Sequence, residues 1–173
     1  DNPSRFVGET HPVDGVSWLD AIEFCNRLSA RFGRNPCYQL TRHDAQSPLV
    51  PANIRVVPRD DHFVHVEWDV DANGFRLPTY VEWERAATDP AVQSTAPQSP
   101  GWHQGNSGGR THPIGSVAPP ATQNEDSQLN DLFGNIAELC FDGPPPDDQQ
   151  VDPVGRSRDQ PVARGGSWRD PID

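Results

Sequence analysis

Three cysteines and six histidines are the side chains of this chain best suited to bind soft metals, exchange disulfides or move protons near neutral pH. Cys25, Cys37 and Cys140 make an odd count, so at least one lies outside any internal disulfide. Their spacing fits no zinc motif. Three free thiols packed as small hydrophobes, or a Cys37–Cys140 bridge with Cys25 left over, both satisfy the sequence. His62 and His65 are three residues apart on a segment with strand-like alternation. They therefore face opposite sides and are read as solvated side chains, not as a shared metal site. His11 and His112 each precede proline and belong in turns. Spacing alone assembles no zinc site.

Two helices and several short strands must carry whatever site exists. Trp18, Ala21, Ile22, Cys25, Leu28 and Phe32 recur at helical spacing and predict a helix from Ser17 to Phe32. Ser17 suits the N-cap with Asp20 three residues on, and Gly33 suits the left-handed conformation that ends helices. A second helix is predicted over Tyr80–Ala87, with Thr79 and Glu82 as a capping box and Pro78 setting an extended approach. Cys37–Leu40, Ile54–Val57 and Phe63–Trp68 read as strands, and Asp69–Gly74 as a turn. Thr41–Pro51, Thr88–Gly109 and Gly143–Gln160 read as loops, the middle one anchored by Trp102. Leu129–Phe141 restores apolar density around Gly134-Asn135, and Val162–Trp168 is a strand with a double glycine. No internal repeat is present.

The totals narrow the function. A chain of 173 residues is one domain of ordinary size. Hydrophobic residues make up only 34%, against 19 Pro and 14 Gly, so few aromatic anchors must support much irregular loop. Trp18, Trp68, Trp83, Trp102 and Trp168 are those anchors. A net charge of −11 repels phosphate backbones and argues against nucleic acid as a partner. All 14 basic residues are Arg, and the Lys-free, Asp/Pro/Ala-rich usage resembles that of high-GC or salt-adapted bacteria. No run of about 18 apolar residues occurs, so no transmembrane helix is expected.

Four ordered segments resemble the formylglycine-generating enzyme (sulfatase-modifying factor) superfamily. The first is Asn2-Pro3-Ser4-Arg5-Phe6 with His11-Pro12-Val13-Asp14-Gly15-Val16-Ser17-Trp18 and Phe24-Cys25-Asn26-Arg27-Leu28-Ser29. The second is Ala72-Asn73-Gly74-Phe75-Arg76-Leu77-Pro78-Thr79 with Glu82-Trp83-Glu84. The third is Asp131-Leu132-Phe133-Gly134-Asn135-Ile136-Ala137-Glu138-Leu139, and the last is Val162-Ala163-Arg164-Gly165-Gly166-Ser167-Trp168-Arg169-Asp170. The resemblance implies an α+β fold, a variant of the C-type-lectin fold with two main helices and short antiparallel strands. It also implies a single domain over residues 1–173 that lacks its first and last strands, and hence a larger polypeptide or complex.

The resemblance further implies a copper-dependent oxidation of a sulfatase cysteine, with two enzyme thiolates binding Cu(I). In active members that pair follows the Gly-Gly-Ser segment. Here Asp170 occupies the first place and the second lies beyond residue 173. Asp is a hard oxygen ligand, so the catalytic residues do not carry over. Ergothioneine-type sulfoxide synthases are another relative, with iron ligands outside this kind of domain. A third class uses the fold to bind ligands, as in variable proteins of diversity-generating retroelements. Members of that class present their binding residues near the double-glycine segment.

Calcium is implied by the same resemblance. Asp131 and Glu138 would give carboxylate oxygens, and Gly134 and Ile136 backbone carbonyls, a donor set of the hard type that Ca²⁺ prefers. Asn106 and Ser107 stand for a second site. The reading is therefore a non-catalytic module that binds a protein or small molecule and is stabilised by calcium. Its alternatives are an oxygen-using oxidoreductase completed by residues outside this chain, and a diversity-generating-retroelement-type variable binding protein.

Overall fold

The computed structural model describes residues 2–43, 54–59, 62–88, 101–116, 129–144 and 162–171. Most of the loops expected over Thr41–Pro51 and Gly143–Gln160, and residues 89–100 of Thr88–Gly109, lie outside them. The elements run α1 (Trp18–Arg31), β1 (Tyr38–His43), β2 (Ile54–Arg59), β3 (His62–Trp68), α2 (Tyr80–Thr88), β4 (Glu138–Leu139) and β5 (Ala163–Arg164). The chain divides into two compact units. One comprises residues 17–81 and 141–161, the other residues 1–16, 82–140 and 162–173.

In the first unit, α1 starts where the sequence places it. Ser17 Oγ accepts from the Asp20 N–H at 3.2 Å and Asp20 Oδ2 accepts from the Ser17 N–H at 3.0 Å, a reciprocal capping box. Gly33, at φ +66°, follows the C-cap Phe32. The buried face differs from the predicted stripe. Trp18, Leu19, Ile22, Cys25 and Ser29 are buried, Ala21 and Leu28 are half-buried, and Phe32 is 63% exposed. The helix ends at Arg31, so Phe32 leaves the helical phase and packs edge-on against Phe75, with ring centroids 5.5 Å apart. Ser29 is buried for a polar reason. Its hydroxyl lies 2.8 Å from the Cys25 carbonyl and accepts from the Phe75 N–H at 2.7 Å. That contact brings the backbone so close that a Cβ on Gly74 would lie 2.3 Å from the Asn35 carbonyl oxygen.

The three longer strands form an antiparallel sheet in the order β1-β3-β2, with Tyr38 opposite Trp68 and Val57 opposite Val64. Two strands are longer than their apolar patterns suggest. In β1, Thr41, Arg42 and His43 pair with His65, Val64 and Phe63, although all three are exposed. In β2, pairing continues through Pro58 to Arg59. Proline is tolerated there because β2 is an edge strand, bonded among the described strands to β3 alone.

Phe141 is fully buried at the centre of this unit's core. Its ring stacks on Tyr38 (5.4 Å, 13°), meets Trp68 edge-on (5.2 Å, 63°) and lies tilted against Trp18 (5.7 Å, 42°). Tyr38 is pinned at both ends. Asn26 exchanges two hydrogen bonds with its backbone, and its hydroxyl accepts from the Leu77 N–H at 2.9 Å. Cys25 and Cys37 pack in the same core, and all three cysteines are buried and free, so no Cys37–Cys140 bridge exists. Burial, and secondarily Cys37, push the Cys25 thiol up to about 11, which keeps it protonated and unreactive at neutral pH.

His65 departs from its reading as a solvated side chain. It is only 8% exposed and stacks on the exposed His43, with centroids 3.8 Å apart. Its Nε2 has no hydrogen-bond partner among the described residues. Burial, then the neighbouring His43, hold its pKa below the ordinary value of 6.5. As pH falls below that value, the unfolded chain takes up a proton that the folded chain refuses. Stability present above the unfolded pKa is thus lost as pH falls through the folded one. Melting temperatures between about pH 8 and pH 5 should decline, and His65→Gln should flatten the decline. Equal slopes for the two proteins would contradict this account.

Candidate functional site

The second unit is built mostly of loops, and its frame starts from α2. Trp83, Ala87, Leu132 and Cys140 form its buried cluster, and Phe133 meets Trp83 edge-on at 6.0 Å. β4 and β5 pair antiparallel with Glu138 opposite Arg164. From there the Arg164 guanidinium lies over the Trp83 ring, 4.9 Å from its centroid, and pairs with Glu84. Trp83 Nε1–H donates to Glu138 Oε2. One aromatic side chain on α2 thus orients both a carboxylate and a guanidinium from the short sheet.

Three loops approach each other at glycines. A Cβ on Gly101 would lie 1.8 Å from the Phe133 carbonyl oxygen, and one on Gly165 would lie 2.4 Å from that of Leu132. Both residues also have positive φ, +70° and +86°. These positions need glycine for the approach and for the backbone conformation alike.

Asn135 joins the loops. It is 1% exposed and adopts φ +57°. Its Nδ2 donates to Asp131 Oδ2 and to the His112 carbonyl, both at 3.0 Å, and its Oδ1 accepts from the His112 N–H at 3.0 Å. Its own N–H donates to the Trp102 carbonyl at 2.8 Å, and its carbonyl accepts from the Trp168 N–H at 3.0 Å. Sequence reading treats Gly134-Asn135 only as an interruption and misses this role. The available signal was that Asn tolerates the left-handed region and carries both donor and acceptor on one short side chain.

His112 does more than occupy a turn. Its ring stacks on Trp102 at 3.6 Å, and its Nε2–H donates to the Ser107 carbonyl at 2.8 Å, which fixes the tautomer. Trp102 also donates from Nε1 to Ser116 Oγ at 3.0 Å, so it anchors its loop as the sequence suggests. His11 sits in a turn, with Nδ1 2.9 Å from Thr111 Oγ1.

The calcium candidates divide into two groups. Asp131, at φ +56°, presents Oδ2 to the Gly115 N–H at 3.1 Å as well as to Asn135. Glu138 is pushed above the ordinary carboxylate range, first by burial and then by the Asp131 charge, with the Trp83 hydrogen bond opposing. Two carboxylates thus repel each other in a partly buried place. Among the described residues no hydrogen bond reaches the carbonyl of Gly134 or of Ile136. All four are oxygen donors of the hard type that a divalent cation such as Ca²⁺ takes. Asn106 and Ser107 do not fit one. Asn106 Oδ1 accepts from the His103 N–H at 2.7 Å, and Ser107 Oγ donates to the Trp168 carbonyl at 2.9 Å. Among the described residues no carboxylate bonds to them, and their side chains lock the loop. No group of three or more His, Cys, Asp or Glu comes together among the described residues.

The double-glycine segment ends in a closed turn. Ser167 Oγ donates to Asp170 Oδ2 at 2.8 Å, the Asp170 N–H donates to the Ser167 carbonyl at 3.0 Å, and the Asp170 carbonyl accepts from the Gln104 N–H at 2.9 Å. The strand predicted for Val162–Trp168 shrinks to Ala163–Arg164, because Gly165 and Gly166 take positive φ and turn the chain out of the ladder.

Residues 2–173 match the sulfatase-modifying factor enzyme 1-like domain. The chaperone protein LppX of Paenibacillus barcinonensis is 29% identical, over 97% of this chain and 62% of that protein. The chain therefore spans less than two thirds of the length of this relative. Among solved structures, Treponema denticola variable protein 1 superposes with a TM-score of 0.64 at 28% identity, covering 99% of this chain and 68% of that one. CarF superposes with a TM-score of 0.56 at 25% identity, covering 95% and 60%. No helix among the described residues is long and apolar enough to cross a membrane.

Proposed function

Because the chain belongs to the sulfatase-modifying factor enzyme 1-like family, with the C-type-lectin-like fold of its structural relatives, we propose that it binds a ligand or a protein and does not oxidise cysteine. The observation that carries this reading is the state of residue 170. Where the family resemblance calls for the first copper thiolate, Asp170 offers hard oxygens, and one of them already closes a turn with Ser167. The chain's thiols offer no substitute, since all three are buried among apolar neighbours. The likeness to a variable protein favours a recognition surface, and the likeness to a protein named a chaperone favours another protein as its target.

Calcium belongs to the same proposal as a structural ion. The carboxylates of Asp131 and Glu138 and the carbonyls of Gly134 and Ile136 would hold it. It would neutralise two carboxylates that repel each other beside Asn135. Without a cation, the raised pKa of Glu138 works against the fold at neutral pH. That group's stabilisation is present below the unfolded pKa and lost as pH rises through the folded one.

Metal analysis of the purified protein should find no stoichiometric copper or iron. Calcium at about 1–5 mM should raise the melting temperature by about 2–5 °C. Glu138→Gln should abolish that rise while keeping an oxygen to accept from Trp83. Stoichiometric copper together with oxidation of a cysteine peptide would overturn the binding reading. An unmoved melting temperature would remove the calcium.

A further inference from the structure

The loop locks of the second unit gather an uncommon group at its surface. Phe6 and Trp168, both half-buried, meet edge to face with centroids 5.5 Å apart and an interplanar angle of 78°. Three exposed guanidiniums surround them. Arg5 lies 5.4 Å from the Phe6 centroid and 5.8 Å from that of Trp168. Arg110 lies 5.8 Å from Phe6, and Arg169 lies 4.6 Å from Trp168.

These cations lack the compensation that Arg27 and Arg164 have. Arg27 pairs with Glu23 and Arg164 with Glu84, whereas none of Arg5, Arg110 and Arg169 has a carboxylate partner among the described residues. The acids adjoining them in the chain's turns are committed to those turns. Asp14 Oδ1 accepts from the Arg5 N–H at 2.8 Å, and Asp170 Oδ2 from the Ser167 hydroxyl. Three of the 14 cations of an acidic chain thus stand together with no carboxylate partner among the described residues.

The group is also held in advance. Its members come from three separate segments, and each segment is tied down. The Trp168 backbone is fixed by Asn135 and by Ser107 Oγ. The segments before and after Arg110 are fixed through Ser107, Thr111 and His112. The Ile114 N–H donates to the Thr10 carbonyl at 2.8 Å, which ties the N-terminal segment to the same loops. A guanidinium resting on an aromatic face keeps its N–H donors at its edge. It forms a fork suited to a carboxylate, with less side-chain freedom left to lose on binding.

We propose that Arg5, Arg110 and Arg169 bind the carboxylates of an acidic peptide segment of a partner protein, with an apolar side chain of that segment seated against Phe6 and Trp168. This rests on the binding reading above and gives it a ligand class. A peptide is favoured over nucleic acid because a net charge of −11 repels a long polyanion, while three local guanidiniums suffice for a few carboxylates.

Fluorescence anisotropy of the whole chain with a fluorescein-labelled peptide of alternating Glu and Leu, at about 50 mM salt, tests it. The peptide should bind, its Gln–Leu counterpart should not, and Arg110→Gln/Arg169→Gln should weaken binding at least about tenfold. Arg31→Gln/Arg85→Gln changes net charge equally at exposed positions on α1 and α2 and should leave binding within about twofold. Both doubles should melt like the parent. Equal weakening by the two doubles, binding of the Gln–Leu peptide, absence of binding, or tighter binding of oligothymidylate would each overturn the assignment. Such a failure in a copper-free protein that oxidises no cysteine peptide sinks this ligand class alone. A copper-loaded, oxidising protein would instead sink the reading beneath it.

Discussion

Gly101→Ala should cost on the order of 3–5 kcal/mol, a large part of the stability of a domain this size. Two penalties combine at this buried residue. Its φ of +70° disfavours any side chain by about 1–2 kcal/mol. A Cβ would also lie 1.8 Å from the Phe133 carbonyl oxygen and 2.7 Å from its carbon, so the backbone itself must move. That movement would disturb Asn135, which holds the adjoining Trp102 carbonyl. Gly108 is the control. Its φ is +61°, but a Cβ there meets nothing within 4 Å, so Gly108→Ala should cost only about 1–2 kcal/mol. Denaturant melts of the two variants separate conformation from close approach. Equal losses would mean that the contact between the two loops is unimportant.

Glycines of this kind explain why the fold was legible in pattern and not in detail. The capped start of α1 and the central strand β3 follow from local rules, and the structure has them. The family resemblance likewise led to the right fold, because its motifs are largely positions where loops must touch. Other features depend on partners distant in sequence. Ser29 is buried because Phe75 needs an acceptor, and His65 because His43 covers it. The final strand is short because Gly165 meets the Leu132 carbonyl. The candidate site shows the same division. Asp131 and Glu138 were visible as oxygen donors, whereas Asn135, which orients Asp131, was not. The arginines around Phe6 and Trp168 were also hidden, since their shared surface depends on loops more than 100 residues apart in the chain.

In the other unit the largest effect is expected at Phe141, where Phe141→Ala should cost about 3–5 kcal/mol. The ring is fully buried and contacts Trp18, Tyr38 and Trp68, so its removal opens a cavity that three large, anchored rings cannot refill. Tyr38 in particular is held by Asn26 and by the Leu77 N–H, so moving it inward would break hydrogen bonds. The neighbouring backbone resists as well. The Phe141 N–H donates to the Pro78 carbonyl at 2.8 Å, and the buried Asp142 accepts from the Tyr80 N–H at the start of α2. Phe141→Leu, which retains much of the volume, should cost about 1–2 kcal/mol. Phe24→Ala should fall within about 0.5 kcal/mol, because that ring is 62% exposed. Denaturant unfolding ranks the three, and a Phe141→Ala loss no larger than that of Phe24→Ala would show that this aromatic cluster does not hold the sheet to α1.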